Sequence, residues 1–204
     1  MNKTSPMNLY ATPFSAAYWR EAANSLRNVR CLVFAALMVA AANILSQFSI
    51  PVGESLKISF GFLARATCAL VCGPVLGVTY GFVEDILSYV LKPSGVFFPG
   101  YTLTTMLGML IYALCFYRAK LTVTRIFMAK LLTNVMNVFL GSVWSAVLYS
   151  KGYLYYMTSS AVKNTALLIP QTLMLLVLFQ ALIPILQRMG GIVPTQVQGR
   201  IRLI

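Results

Sequence analysis

Four charged residues punctuate an otherwise apolar stretch in the first half of the chain. Lys57 and Arg65 lie near its start and Glu84 and Asp85 close it, with no charge between Cys68 and Tyr80. In hydrocarbon, an ionised side chain near a helix centre costs about 2.5–3.5 kcal/mol on insertion scales, so such residues usually face a protein interior or a wet cavity. This stretch therefore predicts one wall of a polar pocket inside a membrane protein.

The same residue types argue against catalysis. The chain contains no histidine, so a metal site is not expected although Cys68 and Cys72 share a helix face. Glu84 and Asp85 are adjacent, and on a helix they point about 100° apart rather than facing each other as a catalytic dyad. There is no Walker A glycine loop. We predict no catalytic residue, no metal site and no cofactor bound by this chain, and four free cysteines.

Composition places the chain in a membrane. Of 204 residues, 59% are hydrophobic and only 10% are charged, whereas soluble domains carry about 25% charged residues. Several apolar runs reach the length of about 20 residues that a spanning helix needs, and they are too long and uniform for barrel strands. The net charge of +12 comes from basic residues between these runs, so we expect no nucleic-acid partner.

The apolar runs predict an all-α fold with six transmembrane helices. They extend from about Cys31 to Phe48, Ile58 to Cys72, Val75 to Leu91, Tyr101 to Tyr117, Ile126 to Tyr149 and Asn164 to Leu186. Gly73 and Pro74 break the second run from the third, because proline cannot donate to a helix and glycine suits a turn. Arg65 is therefore predicted to pair with Glu84 or Asp85 across a tight hairpin, with contact to a bound ligand as the alternative.

The basic residues orient this bundle. Ten lie at one set of helix ends and four at the other, which predicts that both termini are cytoplasmic. We divide the chain into a basic N-terminal segment (1–30), a transmembrane domain (31–187) and a basic tail (188–204). Within the first segment, Tyr18–Arg30 is predicted either as an amphipathic surface helix or as a disordered tail.

This orientation brings polar and aromatic groups to the outer side. They are Lys57, Glu84, Asp85, the Phe97–Phe98 pair and the Lys163–Asn164 pair. Groups from separate spans at one depth are typical of an outward-facing pocket, whose ligand should combine a flat ring with an anionic part.

The fifth span carries Lys130, Asn134 and Asn137, whose spacing of four and three places them roughly on one face. Lys130 lies near a basic helix end, where a lysine can extend to water. The two asparagines either bridge helices or bind ligand. The following segment, Lys151–Lys163, is predicted as an aromatic loop.

These features together resemble a known family. The layout over residues 30–187, the Gly73-Pro74 hairpin and the Phe97-Phe98-Pro99-Gly100 loop are similar to a substrate-binding S component of an energy-coupling factor (ECF) vitamin transporter. The run Lys57–Leu63, with Lys163-Asn164 and Pro170-Gln171, most resembles the folate-specific branch of that family.

The resemblance implies a multi-pass protein of a bacterial cell membrane that binds folate or a related vitamin on the outer side. Such components dock on a transmembrane T component carried by two ATPase subunits, which use ATP, and they are thought to topple in the membrane. Small residues of the first helix make this contact in the family, and Ala36 and Ala40 stand at the matching positions. Loops corresponding to Ser49–Lys57, Lys92–Gly100 and Lys151–Lys163 would close over the ligand.

For a folate, the resemblance implies a definite division of roles. The pterin ring would lie among Phe60, Phe62, Phe97 and Phe98, its edge would contact Asn164, Asn137 or Glu84, and the glutamate tail would meet Lys57 or Lys163. Relatives often carry an arginine just ahead of the Lys-Asn pair, where this chain has Ser160, Ala161 and Val162. An S component for riboflavin, pantothenate or a queuosine precursor, an intramembrane enzyme and an accessory membrane subunit are the alternatives.

Overall fold

The structure, a computed structural model, describes residues 15–51, 57–93, 96–149, 152–188 and 201. Its helices are α1 (Ala16–Asn24), α2 (Val29–Gln47), α3 (Gly61–Leu91), α4 (Pro99–Phe116), α5 (Val123–Leu148) and α6 (Tyr153–Arg188), with a 3-10 turn at Ser25–Arg27 and two short strands, β1 (Ser49–Pro51) and β2 (Lys57–Ser59). Helices α2 to α6 are each long and apolar enough to cross a membrane.

Helix α3 supplies two of the six predicted spans because it folds back on itself. Gly73 has non-helical angles, φ 79° and ψ −176°, and Arg65 and Glu84 on either side of it form an ion pair of 2.8 Å. In a straight helix these two residues would be about 28 Å apart, at about 1.5 Å per residue. The chain therefore reverses at Gly73, and the predicted hairpin is confirmed.

The hairpin turn is closed by an aromatic ring. A Cβ atom on Gly73 would lie 2.9 Å from the ring of Tyr117, which follows α4. The positive φ of Gly73 is one that residues with a side chain rarely adopt. Glycine is thus required at this position both by the backbone and by the packing against it.

Helix α1 packs over the same end of the bundle. Tyr18 and Ala22 are buried, the ring of Tyr18 meets that of Tyr117 edge to face at 5.5 Å, and Glu21 pairs with Arg118. Burial raises the pKa of Tyr18, so its hydroxyl stays protonated. The helical alternative for this segment is confirmed over 16–24, and the helix, the hairpin turn and the α4–α5 connection share one end.

The other end carries the connections after the first, third and fifth spans. Strands β1 and β2 form an antiparallel pair in which Ser49 lies opposite Ser59. Lys57 lies in β2, but its side chain is outside the part of the chain that the structure describes.

The predicted aromatic loop at Lys151–Lys163 is wrong. Helix α6 begins at Tyr153, eleven residues before the predicted start of the sixth span. No glycine or proline interrupts the chain between Gly152 and Pro170, so nothing stops the helix from extending through the tyrosines. Any closure over a ligand at this point would involve a helix end rather than a loop.

Helix α3 is the central element. In its most apolar stretch of 18 residues, 72% of the residues are buried, against 17% in the corresponding stretches of α2 and α5 and 22% in that of α6. The outer helices expose large apolar side chains such as Leu37 and Val177, as expected for contact with lipid. The four cysteines are free, as predicted, and Cys68 and Cys72 of α3 are buried. Side chains on α3 thus face the other helices and can form a site among them.

Candidate functional site

An ion pair joins the two arms of α3. Glu84 is fully buried, and the Nη2 atom of Arg65 donates to its Oε1 at 2.8 Å. Ser88 donates to Oδ1 of Asn43 on α2 at 2.7 Å and lies 3.4 Å from Glu84 Oε1. The predicted pairing of Arg65 is confirmed with Glu84, and a polar chain connects it to α2.

Asp85 forms hydrogen bonds with a different helix from its neighbour Glu84. Its two carboxylate oxygens accept hydrogen bonds from Thr102 at 2.7 Å and Thr105 at 3.1 Å, both on α4. The adjacent carboxylates therefore point away from each other, as their helical spacing requires.

Lys130 of α5 lies inside the bundle. Its side chain is only 5% exposed, its Nζ atom lies 4.7 Å from the ring centroid of Phe62, and it is 3.5 Å from the hydroxyl of Tyr112. The expectation that Lys130 extends to water is therefore wrong, because the apolar face it occupies points towards α3 and α4.

An asparagine of α5 connects this helix to α6. Asn134 is buried and donates to the carbonyl oxygen of Asn164 at 3.0 Å, so it bridges two helices. The side chain of Asn164 donates to the Ser160 carbonyl oxygen at 2.9 Å within α6. Asn137, one turn after Asn134, is half-buried on the same face. For Asn134 the bridging alternative holds, while Asn137 and Asn164 remain predicted ligand contacts.

An aromatic pair lies further along the same face of α5. Trp144 packs against Phe98 with ring centroids 5.6 Å apart, and its indole nitrogen donates to Thr104 at 2.9 Å. Sequence reasoning did not assign Trp144 to the site. Its position seven residues after Asn137 was a usable signal, because residues seven apart share a helix face.

The four predicted phenylalanines are divided between two groups. Phe62 lies against Lys130, Phe98 lies against Trp144, and Phe97 packs on Tyr89 with centroids 5.2 Å apart. Within the described residues, no ring contact joins Phe60 or Phe62 to the Phe97–Phe98 pair. Lys163 is half-buried on α6, and its contact with ligand stays a prediction.

The two small residues predicted to dock a partner lie on the outer face of α2. Ala36 and Ala40 are exposed, while Ala35, Val39 and Ala42 of the same helix are buried against the core. The helix thus presents a narrow surface away from the bundle.

Comparison with known proteins places this arrangement in a family. The family model for the substrate-specific component of ECF transporters matches residues 30–188. The folate transporter FolT of Clostridium novyi is 27% identical over 140 residues, covering 68% of this chain and 81% of the relative. A folate transporter FolT from Leuconostoc mesenteroides is 26% identical over 144 residues, covering 67% and 77%.

A crystal structure of FolT bound with folic acid shares the fold. Its TM-score is 0.65 at 24% sequence identity, covering 72% of this chain and 91% of that chain. Helix α1 precedes the residues that the family model matches. From the six-span layout and the match over most of its length, the chain belongs to the ECF transporter substrate-specific components, a family of multi-pass membrane proteins.

Proposed function

We propose that this chain binds folate at the outer side of a bacterial cell membrane, as the S component of an ECF-type importer. The observation that carries the proposal is that two curated proteins similar over most of this fold are named as folate transporters. The solved relative with the same fold is bound with folic acid.

The geometry suits a ligand with a flat ring and polar ends. One face of α5 runs from Lys130 through Asn134 and Asn137 to Trp144, about 21 Å of helix at about 1.5 Å per residue. Aromatic rings stand at both ends of this face, Phe62 beside Lys130 and Phe98 beside Trp144. Offset stacking on such rings contributes about 0.5–1.5 kcal/mol beyond burial.

We assign ligand contacts to the residues predicted from the sequence and add one from the structure. They are Lys57, Phe60, Phe62, Glu84, Phe97, Phe98, Asn137, Lys163 and Asn164, with Trp144 as the addition. Because Glu84 is fully buried and paired with Arg65, it holds that guanidinium in place, and its contact with the ring edge requires neighbouring side chains to move.

The same proposal includes the coupling partners. The exposed Ala36–Ala40 face of α2 would dock on a T component, since small residues let two helices approach closely in lipid. Two ATPase subunits would use ATP, and this chain would itself catalyse no reaction and bind no cofactor.

A binding titration tests the proposal. Purified protein in detergent is titrated with folic acid, riboflavin and pantothenate in parallel, and binding is followed by isothermal calorimetry. Saturable binding of folic acid alone supports the proposal. Binding of riboflavin or pantothenate without folic acid would assign the chain to a different vitamin and overturn it.

A further inference from the structure

Two basic side chains, those of Arg65 and Lys130, lie in the membrane-spanning part of the bundle. The Nζ atom of Lys130 lies 4.7 Å from the ring centroid of Phe62, which precedes Arg65 by about one turn of α3. Glu84, fully buried, is the carboxylate paired with Arg65. Lys130, only 5% exposed, contacts a ring and a hydroxyl, and no carboxylate among the described residues pairs with it.

Among the described acidic residues, Glu84 is the one that pairs with a member of this cluster. Asp85 is bound by the hydroxyl groups of Thr102 and Thr105, and Glu21 pairs with Arg118 at the end of the bundle. A buried charge without a paired countercharge is destabilising. A buried basic side chain of this kind is explained by an acceptor that occupies the site in the working state.

Arg65 shows where this acceptor can enter. Its side chain keeps 35% of its accessible surface, although the positions that share its face of α3 are almost fully buried. These are Phe62 at 9% and Cys68, Ala69 and Cys72 at 0%. The accessible part of Arg65 is thus the part of this face that a ligand can reach.

Within the described part of the chain, two buried polar atoms at the pair also have no hydrogen-bond partner. They are Nε of Arg65 and Oε2 of Glu84, so the pair is held by one hydrogen bond of the two that a guanidinium and a carboxylate can share. The guanidinium is thus oriented by Glu84 without all of its donors being used.

We propose that Arg65 and Lys130 form a donor site for an oxygen acceptor of the ligand, with Glu84 positioning Arg65. This inference rests on the proposed folate-binding function. Folate offers two such acceptors, the carbonyl oxygen of the pteridine ring and the carboxylates of the glutamate tail. Either one supplies the negative or partly negative oxygen that the cluster lacks.

Three ligands separate these sources. Folic acid carries both acceptors, 4-amino-4-deoxyfolic acid replaces the ring carbonyl with an amine, and the dimethyl ester of folic acid removes the tail charges. We expect the unmodified protein to bind folic acid at least about tenfold more tightly than one of the two analogues, because a site built around donors rejects a ligand that lacks the acceptor. The analogue that loses affinity identifies the source.

The decisive variant is Lys130→Met, which keeps the length of the side chain and removes its charge. It should reduce the ratio of the affinity for folic acid to the affinity for the discriminated analogue, because Arg65 alone is left to donate. Lys120→Met, the same change at an exposed lysine, should leave the ratio unaltered. A Lys130→Met protein that binds folic acid and retains the full ratio would overturn the inference and leave the proposed function standing.

If the unmodified protein binds no folate, the proposed function fails. The melting temperature of ligand-free Lys130→Met then tests separately whether the buried charge of Lys130 destabilises the protein. Removing an uncompensated charge should raise the melting temperature by about 2–4 °C, the shift that one kcal/mol produces in a chain of this size. A fall instead would show that Lys130 is a structural residue and overturn the inference.

Discussion

At the scale of single residues, the buried charges of the bundle include Glu84, paired with Arg65, and Lys130. Arg65 and Glu84 were predictable partners because they flank the Gly73-Pro74 break at similar distances. Lys130 was not, since a lysine two turns from a basic helix end can equally extend to water or turn inward. Its inward course depends on the packing of α5 against Phe62 and Tyr112, which periodicity does not encode.

The Arg65–Glu84 pair should be a measurable part of the stability. Glu84→Gln leaves Arg65 without its countercharge, and we expect a loss of about 2–3 kcal/mol, below the 3–5 kcal/mol of a fully buried pair because Arg65 keeps some accessible surface. Thermal unfolding in detergent measures this loss. The double variant Arg65→Gln/Glu84→Gln should be more stable than Glu84→Gln alone, and equal or lower stability would contradict the pairing argument.

At the scale of elements, apolar length and helix-breaking residues predicted the spans and the hairpin. The start of α6 was missed because Tyr153, Tyr155 and Tyr156 beside lysines are typical of an interfacial loop. The absence of glycine and proline between Gly152 and Pro170 favours a helix instead, and the segment is helical. The two separate aromatic groups were also beyond sequence reasoning, because their separation depends on how α3 and α5 cross.

The α3 hairpin depends on Gly73. In Gly73→Ala, the new Cβ would meet the Tyr117 ring at 2.9 Å and the backbone would keep a positive φ, so we expect a loss of about 2 kcal/mol or more, counting both strain and collision. The melting temperature in detergent is the readout. Gly141→Ala is the matched control, because nothing lies within 4 Å of a Cβ there; similar losses in both would argue against the special role of the turn.

The outer face of α2 can be tested apart from ligand binding. Ala40→Leu adds bulk where a partner helix would approach, so co-purification with a T component and its ATPases should fall at least about tenfold, while folic acid affinity stays within about twofold. Ile44→Leu, at an exposed position one turn away, serves as the control. Unchanged assembly of Ala40→Leu with the T component would remove this face from the interface.

At the scale of the whole molecule, the structure has two distinct ends. The α1 helix, the Gly73 turn and the α4–α5 connection lie at one, and the β1–β2 pair and the Phe97–Phe98 segment at the other. The excess of basic residues on the first end predicts that it faces the cytoplasm, and under the proposed function ligand would enter at the second end.

Cysteine labelling in intact cells checks this orientation. Val96→Cys, at a position 81% exposed in the connection after α3, should react with a membrane-impermeant maleimide. Lys120→Cys, exposed at the opposite end, should react only after the cells are opened. The reverse pattern would place the termini outside.

The most direct test of the folate-binding account uses the two tryptophans as reporters. Trp144 packs against Phe98 in the candidate site, whereas Trp19 is 42% exposed on α1 at the other end. Folic acid should quench the fluorescence of the unmodified protein saturably, Trp19→Phe should keep that change, and Trp144→Phe should lose most of it. A saturable change carried by Trp19, or none at all in the unmodified protein, would contradict the account.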